Sequence, residues 1–316
     1  MANETTLTSL TELVHSEWIN PFILSYAENY KNPSQFLLRM DPSNGSTTVS
    51  APRWVSDQGT VNDAGAAVDT EFDATEASDL ANTMLETLDE TFTISEFGLL
   101  RTVTDHVVES AQSAQAVLQF IVPDAASILM AAGNQTACAL FASFTNQSGD
   151  VTADPLTIAF VDDAIYDLAE RGVTGELVGI LHHDQVRDFM NALQASSTSM
   201  ATFAGAADRQ MATTTAPDQG RNVEGWSLRY KGVDFYRNGL TSTANTAANV
   251  IGAIFCRGDI PAQASMAAIG QGYLREFRVA TQRDESLRAT EFVATMRWGC
   301  GIINNAHGQE LISDKA

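Results

Sequence analysis

His182-His183-Asp184 places three metal-ligating side chains in succession, the residue types of a zinc or other transition-metal site. The spacing works against that chemistry. Adjacent histidines on a strand point to opposite faces, and no second ligand group stands nearby in the sequence. The triplet closes the apolar run Leu177–Leu181 and precedes a helical period, so His183 or Asp184 is expected to cap a helix. Ile269-Gly270-Gln271-Gly272 has two glycines but no third and no dinucleotide context, and reads as a turn. Cys138, Cys256 and Cys300 are odd in number and sit in apolar surroundings (TACALF, AIFCRG, RWGCGI). They read as small core residues rather than as a disulfide or metal set. His106 beside Asp105 reads as a solvated pair. No G-x-S-x-G elbow, Gly-Lys-Ser/Thr phosphate loop or H-E-x-x-H helix is present. The carboxylates between Asp57 and Glu96 lack the alternating ligand spacing of a calcium loop. No catalytic, cofactor or metal site is expected, and the chain is not expected to be an enzyme.

The elements around these residues are more informative. Arg275, Arg278, Arg283 and Arg288 alternate with Glu276, Asp284, Glu285 and Glu291 near the end of the chain. Between them Phe277 and Val279, then Phe292, Ala294, Met296 and Trp298, recur every second residue. That period predicts two strands with one buried face, closed by a charged tip at Gln282–Leu287 and followed by a small apolar-ended strand. A long terminal hairpin with a charged turn suits contact with a neighbour better than chemistry.

Upstream, Leu7, Leu10, Leu13, Val14 and Trp18 predict a helical arm within Thr6–Tyr30, interrupted at Asn20-Pro21. After the turn cluster Asp41–Gly45, Thr47–Trp54 and Ala67–Phe72 read as two strands joined by a projecting tip rich in Gly, Asp and Asn. Thr91–Gly98 reads as a further strand. Thr102–Phe144 carries the longest helical stripe, which Pro123 is expected to kink or divide and which Gly149 and the polar residues before it are expected to end. Asp154-Pro155 reads as the cap and first residue of a helix ending at Gly172. Leu177–Leu181 reads as a buried strand and Val186–Leu193 as a helix. Ser196–Asn222 is small and polar with little period. Trp226–Tyr230 and Val233–Arg237 form a hairpin over Lys231-Gly232, and Asn249–Cys256 is an apolar strand.

The 316 residues carry a net charge of −21. The first half, 1–158, holds 21 acidic and 4 basic side chains, against 18 and 14 in 159–316. Eleven carboxylates and no Lys or Arg lie between Trp54 and Leu100. A surface that grips nucleic-acid phosphates is therefore excluded, because it needs clustered cations. The N-terminus carries Glu4 and Glu12 where a secretory signal needs positive charge, and no run approaches an uninterrupted membrane span. The imbalance is either a solvated acidic face or an acidic front that meets the arginine-bearing rear of another subunit.

In order, then, come an apolar arm, an acidic two-strand loop, a strand, a long helix, a compact α/β region and a terminal strand pair. Its clearest stretches are TEFDATEASDL with ETFTISEFGLLRTVTDHVVESA, LVGILHHDQVRDFMNAL, GVDFYRNG, and TEFVATMRWGCGIINNAHGQELI. This order resembles the major capsid proteins of tailed double-stranded DNA bacteriophages, whose fold encapsulins share. The resemblance implies an α+β fold: an N-terminal arm (1–40), an extended β loop (41–75), a peripheral domain with a long spine helix (76–150 and 274–305) and an α/β apical domain (151–273 and 306–316). It implies hexamers and pentamers tiling an icosahedral shell around DNA held without sequence-specific contacts, a virion capsid assembled in the host cytoplasm. A portal protein and decoration or cement proteins would be the further partners. Intersubunit contacts are expected at Arg53, Trp54, Asp57, Asp63, Asp69 and Glu71 of the loop and at Arg283, Asp284, Glu285 and Arg288 of the hairpin tip. Two departures stand out. Arg39 and Arg53 are the only basic residues between Lys31 and Arg101, so a lysine–asparagine crosslink from the loop is not available. The fold-like sequence begins almost at once, which implies a separate scaffolding protein. The alternatives are an encapsulin-type compartment and, from another class, a soluble α/β hydrolase-like enzyme.

Overall fold

A computed structural model describes residues 4–5, 33–42, 46–54, 87–110, 114–149, 154–200, 212–213, 226–241, 243–244 and 249–314. Its first strands are β1 (Glu4–Thr5), β2 (Leu38–Met40), β3 (Thr48–Trp54), β4 (Thr87–Thr93), β5 (Ser95–Thr104) and β6 (Gln147–Gly149). There follow β7 (Leu177–Leu181), β8 (Ala212–Thr213), β9 (Trp226–Tyr230), β10 (Val233–Arg237), β11 (Thr243–Ala244) and β12 (Asn249–Cys256). The last are β13 (Ile269–Asp284), β14 (Ala289–Ile302) and β15 (Gly308–Asp314). The helices are α1 (Asp105–Ser110), α2 (Ala114–Ala139), α3 (Ile158–Glu170) and α4 (His183–Met200).

β12 is apolar or small at nearly every position and is buried along its whole length. Such a strand needs cover on both faces. It lies inside an eight-stranded sheet ordered β6-β15-β12-β7-β10-β9-β8, with β11 also on β12. On one face Leu228, Phe235, Ile254 and Leu311 pack under Val161, Leu168 and Phe189 of α3 and α4. On the other, Val178, Ile180, Ile251, Phe255 and Ile312 meet Ala137, Cys138 and Phe141 at the end of α2, together with Ile269 and Trp298 of the second sheet. That shared core joins the two sheets. Lys231 (φ 45°) and Gly232 (φ 86°) make the tight β9–β10 turn with both central residues left-handed, as expected of a two-residue hairpin.

The second sheet is five-stranded, β1-β5-β14-β13-β2. β14 pairs antiparallel with β13, and with β5 from Trp298 opposite Ser95 to Ala289 opposite Thr104. α2 covers one face, Ala125 and Leu129 packing on Ala294 beside Phe97, Leu99, Phe277 and Val279.

Several boundaries differ from the sequence reading. The helix expected from Thr102 starts at Asp105, because Thr102, Val103 and Thr104 pair with β14 as β5. Pro123 does not divide α2, which runs from Ala114 to Ala139. The Arg101–Asp124 pair (3.1 Å) and the seating of Ala125 and Leu129 hold the helix together just beyond the ring. The α-helix then gives way to a 3-10 turn at Leu140–Ser143, well before Gly149. Residues 124–143 are apolar and long enough to cross a membrane, yet Ala125, Leu129, Ala137, Cys138 and Phe141 are buried within the protein. The cap of α3 is Thr157, whose hydroxyl accepts from the Phe160 N–H at 3.4 Å. Asp154 instead offers its carbonyl to the Asp314 N–H (3.0 Å), an exchange that keeps the chain extended to Thr157. Ser196–Met200 continue α4 rather than opening a loop. The expected strand Thr91–Gly98 changes sheets at Ile94, so that β4 pairs with β3 and β5 with β14. Among the described residues β3 pairs with β4; the expected strand Ala67–Phe72, like the expected arm helix Thr6–Tyr30, lies outside the described residues.

Candidate assembly surfaces

Among the described residues the β3–β4 ribbon packs on the body at one joint. Gly270 stands opposite Gly301 and Gly272 opposite Gly299, two cross-strand pairs that strip side chains from one patch at the root of the β13–β14 hairpin. A Cβ at Gly299 would run into the Thr93 carbonyl and lie 2.9 Å from the Ile94 Cα, and one at Gly272 would lie 2.9 Å from Val49 Cγ2. On this bare patch Val49, Phe92 and Ile94 pack with Met40 and Leu274. Gly270-Gln271-Gly272 is therefore the start of β13 and not a turn; its glycines permit close backbone approach. The signal was the repetition of Gly-x-Gly at 270/272 and 299/301, period two on both strands. Beyond the joint the ribbon runs from Thr48 opposite Thr93 to Trp54 opposite Thr87, with Ser50 donating to Asp89 across it.

The hairpin tip is rigid by construction. Asp284 Oδ1 accepts from Ser286 N (2.9 Å), Ser286 Oγ (2.6 Å) and Leu287 N (3.2 Å), and these bonds hold its carboxyl below the usual range. Arg288 closes the turn at φ 46°, and its carbonyl accepts from the Asp105 N–H at 2.8 Å. Arg283 grips both Asp105 oxygens at 2.5 Å and reaches Glu285 at 3.4 Å. The bond to Arg283 lowers the Asp105 carboxyl and raises the guanidinium. His106 is thus not the partner expected for Asp105. Arg283 and Asp284 shape the tip from within the chain, while Glu285, Leu287 and Arg288 are turned out to solvent, Leu287 being 42% exposed.

The face of the five-stranded sheet opposite α2 carries Leu100 (52% exposed) beside Val293 and Ala280, the three in one cross-strand row. Arg275 and Arg297 both lie 3.8 Å from Glu96, and Arg39 lies 3.0 Å from Glu276. The meeting of acidic front and arginine rear thus takes place partly inside one chain, through Glu96 and Asp105. Exposed pairs of this kind are worth about 0–1 kcal/mol each.

Of the residues singled out in the sequence, Arg283, Asp284, Glu285 and Arg288 come together at the tip. Arg53 lies near the far end of β3, opposite Leu88, and Trp54 ends that strand. Asp57, Asp63, Asp69 and Glu71 lie outside the described residues. The cap of α4 is His182 and not His183 or Asp184. Its Nδ1 accepts from the Asp184 N–H (3.2 Å), while Gln185 Oε1 accepts from the His182 N–H (3.1 Å). This reciprocal box is completed by Gln185 Nε2, which donates to the Val250 and Leu311 carbonyls from a fully buried position. Among the described residues no three His, Cys, Asp or Glu side chains converge on a possible metal position. Cys138 and Cys256 are buried and Cys300 half-buried; burial pushes their thiols up to about 12, 11 and 12. At those values they are protonated and unreactive.

No family model matches the sequence, and no curated protein matches it. Solved structures do. The capsid of Cyanophage P-SCSP1u superposes with a TM-score of 0.57 at 12% identity, over 89% of this chain and 87% of that one. The capsid of a native GTA particle gives 0.58 at 12% identity, over 95% and 94%. The SrpI encapsulin of Synechococcus elongatus gives 0.58 at 10% identity, over 99% and 93%. The chain has the α+β fold that phage capsid proteins and encapsulins share.

Proposed function

We propose that this chain is the structural subunit of an icosahedral shell, built of hexamers and pentamers, that encloses the double-stranded DNA of a tailed phage. The observation that carries the reading is the likeness in fold to phage and GTA capsids over most of both chains. The physics agrees with it. The part of the ribbon beyond its glycine joint and the exposed leucine of the tip gain few contacts on an isolated monomer, where ordering them costs entropy. An acidic inner wall would repel packaged DNA instead of binding it. The loop Asp57–Glu71 and the ribbon end at Arg53 and Trp54 reach a neighbouring subunit, as does the tip through Glu285, Leu287 and Arg288. Arg283 and Asp284 act there by holding the tip in shape. A portal and decoration proteins complete the assembly, which takes place in the host cytoplasm. No catalytic activity is part of this role.

Electron microscopy of the purified protein tests the reading: closed shells are expected, and a small soluble oligomer overturns it. Deleting Val55–Ala66 should leave a folded subunit that no longer closes shells. The encapsulin likeness favours a protein-filled variant of the same shell, and the ratio of nucleic acid to protein in isolated particles separates the two.

A further inference from the structure

A groove of about 400 Å³ opens between α2, the 3-10 turn Pro33–Phe36 and the first half of β13. Met130, Tyr273 and Phe277 supply apolar walls, and the exposed ion pair Arg39–Glu276 (3.0 Å) forms its rim. Asn134 also lines the groove. It is only 7% exposed, yet its Oδ1 has no hydrogen-bond partner among the described residues. A buried acceptor without a donor is unfavourable, the more so among apolar side chains. One turn back on α2, Met130 is 53% exposed. The groove thus lacks an apolar side chain to cover Met130 and an N–H donor for Asn134. Elsewhere in the same chain the rigid hairpin tip holds Leu287 out to solvent between charges of opposite sign. The two surfaces are complementary.

We propose that the groove receives the β13–β14 tip of a second copy of this chain, the partner's Leu287 lying between Met130 and Phe277 and the partner's Arg288 donating to Asn134 Oδ1. The charges match. Glu285, Leu287 and Arg288 are all exposed at the tip, and the Glu285 side chain stays 82% open although it lies 3.4 Å from Arg283. The rim offers one charge of each sign. The partner's Glu285 then faces Arg39 and the partner's Arg288 faces Glu276, an alternating set of four. The Arg288 stem adds apolar length beside the leucine, and its guanidinium has donors enough for both Glu276 and Asn134. The tip is also held in shape beforehand by the bonds from Ser286 N and Leu287 N to Asp284, so docking orders little more. A subunit cannot fill its own groove in this way. From Phe277 to Asp284 the strand spans roughly 24 Å at about 3.4 Å per residue, and the tip lies beyond. A tip-to-groove contact is head-to-tail, the kind that closes rings. It deepens the shell reading proposed above, on which the tip's role as a contact rests, by naming the surface that receives it.

A photo-crosslinking benzoylphenylalanine placed at Met130 of the full-length chain tests this directly, since an exposed site tolerates the substitution. After irradiation of the purified protein a product of dimer mass is expected, with position 130 joined to a peptide containing Leu287. A product of monomer mass, a link to any other segment, or no link overturns the proposal. Charge reversal is an independent measure. Glu276→Arg and Arg288→Glu should each lower the linked fraction about threefold to fivefold, and the two together in one chain should restore it. A double variant as weak as the single ones means that these charges do not meet, and the proposal fails. Closed shells in which position 130 links elsewhere overturn this contact and leave the shell standing. A small oligomer that carries the Leu287 link keeps the contact and overturns the shell.

Discussion

The two sheets are covered differently. The eight-stranded sheet is packed on both faces, α3 and α4 on one side and the end of α2 with Trp298 on the other, so that β12 is buried throughout. The five-stranded sheet is packed by α2 on one side and presents the row Leu100, Val293 and Ala280 on the other. The first sheet spends its apolar residues on its own stability. The second holds some of them in reserve on a rigid frame, together with the ribbon joint and the tip. For the shell subunit proposed above this separation matters, because surfaces kept for neighbours cannot also be what makes the monomer stable.

The separation is tested most strongly from the buried side. Phe235 is fully buried between α4 and the sheet, in ring contact with Phe189 at 5.5 Å. Phe235→Ala should cost about 3–5 kcal/mol in denaturant unfolding of the subunit, because a cavity replaces an aromatic side chain. A loss well under that range would mean that the eight-stranded sheet is not the folding core.

At the joint the effect should be smaller and shared between folding and assembly. Gly299→Val drives a side chain into the backbone of Thr93 and Ile94, which cannot move aside as a flexible side chain could. Overpacking of this kind costs about 1–3 kcal/mol. The ribbon should be re-aimed, and the yield of closed shells should fall more than subunit stability does. Full assembly with reduced stability would show that the joint serves the fold alone.

Much of the frame was legible in the sequence. The terminal hairpin, the β9–β10 turn and β12 follow from period-two patterning and turn chemistry that act locally. The joint was not read from the sequence, because Gly270 and Gly272 look like turn glycines until their repetition at Gly299 and Gly301 is set beside Phe92 and Ile94, which cross them. The pairing of β3 with β4 was missed for a related reason. Trp54 and Thr87 are neighbours in the ribbon but distant in the chain, and no local rule points from one to the other. The caps failed by smaller margins: Asp154 gives its carbonyl to Asp314 and Thr157 caps α3, while His182 caps α4 one residue ahead of His183. At the tip the sequence shows the cluster of charges, but which of them bond within the chain depended on Asp105, a residue from a different element.

The open face gives a weaker handle on stability and a sharper one on function. Leu100→Glu changes an exposed position, where substitutions usually stay within about 0.5 kcal/mol. Unfolding of the isolated subunit should barely move, while shell yield should drop. A stability loss comparable to that of Gly299→Val would mean that the face is covered within the subunit.

The smallest effects are expected from pH, and the two sheets should respond with opposite signs. Glu310 of β15 is 8% exposed, and burial raises its carboxyl above the ordinary 4.5. An acid whose folded value is raised favours the folded state while protonated. Its contribution is full below 4.5 and is lost as pH rises through the folded value. At the tip, Asp105 is held below its ordinary 3.8 by Arg283, and Asp284 below 3.8 by Ser286 and Leu287. Their contribution is full above 3.8 and is lost as pH falls through the lowered folded values. Urea midpoints measured across pH for the native chain, Glu310→Gln and Asp105→Asn separate the two. Relative to Glu310→Gln the native chain should lose stability as pH rises past 4.5. Relative to Asp105→Asn it should hold a steady advantage at neutral pH, which shrinks below 3.8. Two differences that change in the same direction with pH would mean that the buried carboxylate and the tip carboxylates do not sit in opposed environments, and the contrast between a sealed sheet and an exposed, arginine-tied tip would fail at its most local point.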